Sequence, residues 1–230
     1  MNARVPEVTW VRVPHQDRSR KTLERLLDTA EALLQERGFE TVTVAEIAQA
    51  AGSSVGAFYA RFRDKNGLLH HLHERFCEEA IATSDTLLEP GRWAGATAEQ
   101  ILGQVIEVLA GIHETRSGML RAFMAVGQGD PQFLERDLRT MRHFLARLTA
   151  LLMERRAEIG HPEPEVAIAF CIELCTAVLR DRYVLGTAQL GFWPTGQAGL
   201  VPELIRACAR YLGLAPVGRA AAGEEPGCCA

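Results

Sequence analysis

Apolar residues recur along this chain with the three- and four-residue spacing of amphipathic α-helices. The first stripe consists of Leu23, Leu26, Leu27, Ala30, Leu33 and Leu34. Further stripes run from about Thr97 to Thr115, from Met119 to Val126 and from Pro131 towards Gly160. A period near 3.6 residues is typical of helices packed on one face, and no segment shows a convincing strand pattern. The pattern therefore predicts an all-α protein.

Capping signals divide the first third of the chain into short helices. The segment 43–46, Thr-Val-Ala-Glu, has the form of a capping box, and Gly52 ends the helix that it opens. Ser53 or Ser54 can cap the next helix, and Asp64 caps a longer one. Two short helices joined at a glycine make a helix-turn-helix candidate, although helical hairpins of this spacing are common in all-α proteins.

The residues of the second short helix make this candidate more specific. Its first turn contains only small or hydroxylic groups around Val55, which let a helix end approach the edges of base pairs: Ser53, Ser54, Val55, Gly56 and Ala57. Phe58 and Phe62 lie four residues apart and can anchor the helix to its own domain. Polar and basic residues can face outward, where DNA phosphates would lie: Tyr59, Arg61, Arg63 and Lys65.

The C-terminal part contains one segment that differs from the amphipathic stripes. Pro164 to Leu185 includes a run, Val166 to Leu179, that is apolar on nearly all sides. In a monomer such a helix would leave one apolar face exposed. We therefore predict a homodimer formed by this segment and the last helix, Pro202 to Leu212, with an interface made of Val166, Phe170, Leu174, Val178, Leu204, Ile205 and Cys208.

Composition narrows the functional classes. The 230 residues are 47% hydrophobic, which supplies a core. No stretch reaches the roughly 20 apolar residues of a membrane span, and no apolar signal segment opens the chain, so we expect a cytoplasmic protein without a membrane partner. Net charge is −4, but the chain up to Arg75 has 11 basic and 10 acidic residues, against 14 and 19 after it. The N-terminal end is thus the one that favours phosphate.

Motifs for other chemistry are missing from the sequence. It contains no glycine-rich nucleotide loop, no Gly-x-Ser-x-Gly and no His-Glu-x-x-His, so an all-α enzyme is a remote alternative. The six cysteines lack zinc-finger spacing, and the spacings of His70, His71 and His73 are not the i, i+4 pair that places two imidazoles together. We expect no metal site and no cofactor.

The segment from about Lys21 to Arg75 resembles the TetR family of transcriptional regulators. The resemblance is carried by Thr43-Val-Ala-Glu-Ile-Ala, by Ala51-Gly-Ser-Ser-Val-Gly-Ala-Phe-Tyr-Ala-Arg-Phe, by Asp64-Lys65 and by Leu68-Leu69. It implies an Ω-shaped all-α homodimer with an N-terminal three-helix helix-turn-helix DNA-binding domain. It also implies a larger C-terminal helical domain that binds a small-molecule effector and dimerises through its last two long helices.

The expected domains are a flexible basic arm at 1–17, the DNA-binding domain at 18–66, the C-terminal domain at 67–214 and a disordered tail at 215–230. By this resemblance double-stranded operator DNA is the partner, and eight residues bind it: Thr43, Ser54, Val55, Gly56, Ala57, Tyr59, Arg61 and Lys65. Val55, Gly56 and Ala57 are the expected base readers. Arg18, Arg20 and Lys21 can touch the DNA backbone or a minor groove.

An unknown small-molecule effector is the second expected partner. Candidate pocket residues are Met119, Phe123, Met124, Met141, Phe144 and Phe170, with Glu107, Arg121 and Arg180 as possible polar anchors. The same methionines and aromatics can also be ordinary core residues. The main alternative is a DNA-binding regulator without an effector, whose C-terminal domain serves dimerisation or a protein partner. An internal cavity of several hundred Å³ would favour the sensor over this alternative.

Overall fold

The computed structural model describes residues 17–186 and 199–214, with side chains from Ser19 onward. These residues form nine α-helices and no β-strand, so the all-α prediction is confirmed. No helix in this part of the chain has the length and apolar character that crossing a membrane requires. Nearly all of the predicted arm, the loop after Gly186 and the tail with Cys228 and Cys229 lie outside the described residues.

The helices begin and end close to the predicted capping residues. Their bounds are α1 Asp17–Arg37, α2 Val44–Ala50, α3 Val55–Tyr59, α4 Lys65–Leu87, α5 Ala98–Thr115, α6 Ser117–Gly127, α7 Pro131–Met153, α8 Pro164–Leu179 and α9 Leu200–Leu212. A π-helical segment, Arg180–Leu185, continues α8 until Gly186, which has a φ of 71°. Such π-helical turns are rare in proteins, and those that occur are often found at functional sites.

Two hydrophobic cores hold the helices together. The N-terminal core contains the inner faces of α1 to α3 and the first part of α4, but Met119, Phe123 and Phe133 from α6 and α7 complete it. The C-terminal core joins the end of α4 to α5, α7, α8 and α9. The helix-turn-helix segment therefore does not bury its apolar surface alone, and α4 contributes to both cores.

A close contact between α1 and α6 joins the two parts of the chain. A Cβ atom at Gly118 would lie 2.7 Å from the Gln35 Cα and carbonyl oxygen, so glycine lets the two backbones approach. Gln35 also caps α6, because its Oε1 accepts the N–H groups of Gly118 at 2.9 Å and Met119 at 3.2 Å. These two N–H groups have no partner within their own helix.

Replacing Gly118 with alanine tests the importance of this contact. The added methyl collides with backbone atoms, which cannot move aside as a flexible side chain can. We expect Gly118→Ala to lower the free energy of unfolding by about 1 to 3 kcal/mol, measured by urea denaturation. The control is Gly111→Ala in α5, where nothing lies within 4 Å of the new Cβ. It should be neutral or stabilise the protein by up to about 1 kcal/mol. Equal stability of the two variants would contradict the role of Gly118.

Candidate functional site

The first helix of the helix-turn-helix is fixed by a reciprocal capping box. Thr43 Oγ1 accepts the N–H of Glu46, and the Glu46 carboxylate accepts the N–H and hydroxyl of Thr43 at 2.8 and 2.7 Å. Arg37, at the end of α1, donates to the same carboxylate at 2.8 Å. These bonds, led by that from the Thr43 hydroxyl, lower the pKa of Glu46 from 4.5 to about 2. The Thr43 hydroxyl proton is therefore engaged in capping, and the expected contact of Thr43 with phosphate stays a prediction.

The second helix of the helix-turn-helix, α3, packs on the core with one face and is exposed on the other. Ser54 caps it by accepting the N–H of Ala57 at 3.1 Å. Phe58 is fully buried, while Val55, Gly56 and Tyr59 are exposed and Ala57 is half-buried. A Cβ atom at Gly56 would have only Ser54 Oγ, 3.8 Å away, within 4 Å. This end of α3 is a smooth surface made of small side chains.

Two cations predicted to bind phosphate also make hydrogen bonds within the fold. Lys65 Nζ donates to the carbonyl oxygens of Phe39 at 2.7 Å and Val42 at 3.0 Å, and it lies over the Phe39 ring. Arg61 donates to Ala57 O at 2.7 Å and to Ser19 Oγ at 3.0 Å. Both side chains thus have acceptors within the chain, and their expected contact with phosphate stays a prediction. Sequence reasoning missed these roles because their acceptors are mostly backbone carbonyls far along the chain.

The Arg61 contact brings the start of α1 beside the end of α3. Since Arg61 reaches Ser19, the neighbouring residues Arg20 and Lys21 lie near the recognition helix, and both are exposed. Arg20 Nε lies 3.7 Å from Glu24 Oε1. Because this ion pair is exposed to solvent, it contributes little to stability. Arg63, between α3 and α4, is exposed as well. Arg20, Lys21 and Arg63 are thus more exposed than Arg61 and Lys65, which are half-buried.

A cavity that is partly open to the surface lies in the C-terminal domain. It has two adjoining lobes of about 300 and 310 Å³ that share Phe76, His113, Leu120, Asp137 and Arg180 in their walls. Phe123, Met124 and Phe133 line the first lobe, and Val105, Leu109, Met141 and Phe144 line the second. Mostly apolar walls with a few polar groups are typical of small-molecule sites.

Four of the six predicted pocket residues line this cavity: Phe123, Met124, Met141 and Phe144. The other two expectations are corrected. Met119 is buried in the N-terminal core, and Phe170 lies on the outer surface against the Tyr211 ring at 5.1 Å. Arg180 lines both lobes, whereas Arg121 donates to Val184 O and Glu107 lies away from the lining.

A few polar side chains line the cavity, and they differ in whether they already have a partner. Within the described residues Arg180 makes no ion pair. His113 Nδ1 carries a proton and donates it in a hydrogen bond to Leu109 O at 2.8 Å. Burial lowers the pKa of His113, the hydrogen bond to Leu109 opposes this shift, and the charge of Arg180 lowers the pKa further. Ser84 and Thr176 donate their hydroxyl protons to their own helices and keep lone pairs for a ligand. Sequence reasoning missed His113, although its place four residues after Leu109 continues the α5 stripe.

The outer face of α8 is an exposed apolar stripe. Val166, Phe170 and Leu174 follow at four-residue intervals and are 61%, 48% and 36% exposed. The opposite face packs into the C-terminal core, which explains why the sequence is apolar all round. Leu204 and Cys208 of α9 are buried in that same core, and Ile205 and Val178 pack against it. This corrects the expectation that Leu204 and Cys208 form an intermolecular surface.

Comparison with known families assigns both halves of the chain. Residues 26–72 match the model of the bacterial regulatory proteins of the tetR family. Residues 98–212 match the model of the tetracyclin repressor-like C-terminal domain, and this match alone spans half of the chain. The first match contains the helix-turn-helix, and the second contains most of the cavity and the α8 stripe.

Individual relatives are more distant. The chain is 30% identical over 95 residues to the probable HTH-type transcriptional regulator YttP of Bacillus subtilis, which is 41% of this chain and 45% of YttP. It is 30% identical over 102 residues to the HTH-type transcriptional repressor KstR2 of Rhodococcus jostii, 44% of this chain and 50% of KstR2. The matches thus span about half the length of these relatives. A transcriptional regulator from Rhodococcus sp. Rha1 has the same fold, with a TM-score of 0.64, 22% identity and coverage of 84% and 99% of the two chains.

Proposed function

This chain belongs to the tetR family of bacterial regulatory proteins, and we propose that it is a cytoplasmic transcriptional repressor that binds a palindromic operator as a homodimer. The observation that carries the proposal is the open surface of α3 around Gly56. We keep 18–66 as the DNA-binding unit and 67–214 as the effector and dimerisation unit.

The surface of α3 fits the edges of base pairs in the major groove. Val55 and Gly56 present a methyl-bearing and a bare surface at the start of the helix, where a groove edge can approach closely. Tyr59 is exposed one turn later and can donate its hydroxyl to a phosphate. Lys21 and Arg63 supply exposed charge for the backbone on either side. Arg61 and Lys65 act through position, because they hold α3 and the turn before α2.

A bulky side chain at position 56 tests this assignment. Gly56→Leu should fold normally, since the new side chain has open space. It should abolish preference for an operator that the wild-type protein selects from a random DNA library. Only weak, salt-sensitive binding near 10⁻⁴ to 10⁻⁶ M, roughly the non-specific range, should remain in fluorescence anisotropy.

The matched control is Gly111→Leu, another open helical glycine far along the chain in α5. It should bind the selected operator with wild-type affinity and salt dependence. If Gly56→Leu retained the same operator preference as Gly111→Leu, α3 would not be the reading helix.

The α8 stripe supports dimerisation with a second copy of this chain. Three large apolar side chains aligned on one helix are costly in water at roughly 25 cal/mol per Å² of apolar surface. A two-fold axis through this face would bring each stripe against its equivalent, with Tyr211 of α9 at the edge. Two recognition helices related by that axis would match a palindromic site.

A charge in the centre of the stripe should separate the protomers. We expect Phe170→Glu to sediment as a folded monomer in analytical ultracentrifugation, because a carboxylate cannot enter an apolar interface without a partner. Leu138→Glu on α7 is the control, since it changes an exposed apolar residue outside the stripe and should leave the dimer intact. A Phe170→Glu dimer as stable as that of the control would place the interface elsewhere.

The cavity favours a regulator with an effector over one without. Phe123 and Phe133 line its first lobe and also belong to the N-terminal core beneath the helix-turn-helix. A ligand that moves these rings would therefore change how α1 and α4 pack. The size of the cavity fits a compact, mainly apolar molecule with one group that accepts hydrogen bonds from Arg180.

Filling the cavity tests effector control. Compounds that raise the melting temperature of the wild-type protein should weaken operator affinity by about 5- to 150-fold, the usual range of allosteric coupling. Ala80→Phe, which places a ring into the second lobe, should lose the thermal response. The control Ala82→Phe changes an exposed position of the same helix and should keep it. A compound that stabilises Ala80→Phe and Ala82→Phe equally does not act through this cavity.

A further inference from the structure

Three side chains with metal-binding atoms meet where α4 packs against α7. His73 and Cys77 lie one helical turn apart on α4, and Asp137 approaches them from α7. His73 Nε2 lies 2.9 Å from Asp137 Oδ1 and 3.7 Å from Cys77 Sγ. All three ligand atoms fall within 4.8 Å of one another. His73 and Cys77 are each only 1% exposed, so the nitrogen and the sulfur are held in place by the core.

We propose that His73, Cys77 and Asp137 form a binding site for a divalent transition metal of the zinc class. One imidazole nitrogen, one thiolate and one carboxylate are a donor set that suits Zn²⁺ and Co²⁺, whereas Mg²⁺ and Ca²⁺ prefer oxygen ligands. The two anionic ligands balance the charge of the ion. The site is separate from the proposed DNA surface and does not depend on it.

The observed distance between the His73 nitrogen and the Cys77 sulfur is close to the one that a tetrahedral ion needs. Bonds of about 2.0 Å to nitrogen and about 2.3 Å to sulfur place these two ligand atoms about 3.5 Å apart in a tetrahedral site. The observed separation of His73 Nε2 and Cys77 Sγ is 3.7 Å. Asp137 Oδ1 has to withdraw by only a few tenths of an ångström from its hydrogen bond to the imidazole. The side chain of Asp137 is 63% exposed, so it has room to do so.

The fourth coordination position faces the cavity. His73 lines the first lobe, Cys77 lines the second, and Asp137 lines both. The three ligands therefore lie at the boundary between the lobes. A site with three protein ligands and an open position binds water or an exogenous ligand in that position. An oxygen-bearing molecule in the cavity could thus coordinate the ion directly.

Neighbouring charges limit the affinity of the site. In the metal-free protein Asp137 Oδ1 accepts a hydrogen bond from His73 Nε2, and Arg136 Nη1 lies 3.4 Å from His73 Nδ1 and from His70 Nδ1. A metal on Nε2 displaces the Nε2 proton, and a proton on Nδ1 would then face Arg136. Arg136 Nε is bound to Glu74 at 2.5 Å, which gives its guanidinium an anion to turn towards.

Cys77 also has to lose a proton. Burial raises the pKa of its thiol, so the metal-free side chain is neutral. Binding of M²⁺ to the thiol forms the metal–sulfur bond and releases H⁺ to the solvent. This requirement and the approach of Arg136 both make the site weaker than a closed structural zinc site.

The experiment uses the full chain with the double substitution Cys228→Ser/Cys229→Ser, which removes the tail thiols from the measurement. Zn²⁺ titrated into this metal-free protein should bind with one equivalent per chain in isothermal calorimetry. Co²⁺ should give the near-ultraviolet charge-transfer absorption of a cobalt–thiolate bond. Zn²⁺ added afterwards should remove that absorption by displacing Co²⁺.

Matched variants locate the ion. Cys77→Ala should remove the charge-transfer band, whereas Cys175→Ala, which changes another fully buried helical cysteine, should retain it. Asp137→Asn should weaken Zn²⁺ binding by about tenfold or more. Asp85→Asn should not, although Asp85 lies 2.8 Å from His143 Nε2 in a similar carboxylate–imidazole pair without a thiol.

The proposal fails if the wild-type ligands give no cobalt–thiolate band and no stoichiometric zinc binding. It also fails if Cys77→Ala and Asp137→Asn bind Zn²⁺ as tightly as their two controls. Thermal melting of each metal-free variant identifies any that is unfolded. If Cys77→Ala is unfolded, Asp137→Asn decides the outcome, because Asp137 is exposed and its replacement leaves the core unchanged.

Discussion

The structure depends on the fact that the helix-turn-helix is too small to bury its own apolar surface. Domains of this size bury a smaller fraction of their surface than larger domains do and are marginally stable alone. Here Met119, Phe123 and Phe133 from α6 and α7 close the N-terminal core. The relation between the DNA-binding surface and the rest of the chain is thus set by packing of side chains, with Gly118 and Gln35 fixing how closely α1 and α6 approach.

This shared core gives a physical route between the cavity and the helix-turn-helix with its proposed DNA surface. Phe123 and Phe133 are at once wall residues of the cavity and core residues of the N-terminal part. The His73 ring stacks on Phe133 at 4.3 Å between centroids, so the proposed metal site borders the same two aromatics. Because packed cores are dense, a displacement on one side of these rings has to be accommodated on the other.

Polar side chains at the ends of helices explain how such short elements keep a defined orientation. The segment α3 has five residues and could not persist as an isolated helix. It is held by the Ser54 cap, by Arg61 across to Ser19 and by the buried Phe58 ring. Lys65 satisfies two carbonyls in the turn before α2. The exposed surface of α3 can consist of small residues because its position is fixed from beneath.

The sequence by itself determined the features that depend on residues close together in the chain. Helical periodicity predicted the all-α fold, and the caps Thr43 and Asp64 placed two of the helices, because a cap and its target lie within three residues. The sequence left Ser53 and Ser54 open as the cap of α3, and the structure shows that Ser54 is the cap. Only the tertiary structure decided which polar side chains make hydrogen bonds within the fold and which apolar side chains are exposed. It turned Arg61 and Lys65 inward, and it buried Leu204 and Cys208 while leaving Val166 and Phe170 exposed. From the sequence we predicted no metal site, because Asp137 lies 60 or more residues from His73 and Cys77. The approach of Asp137 is set by the packing of α7 on α4, and no local pattern encodes that contact.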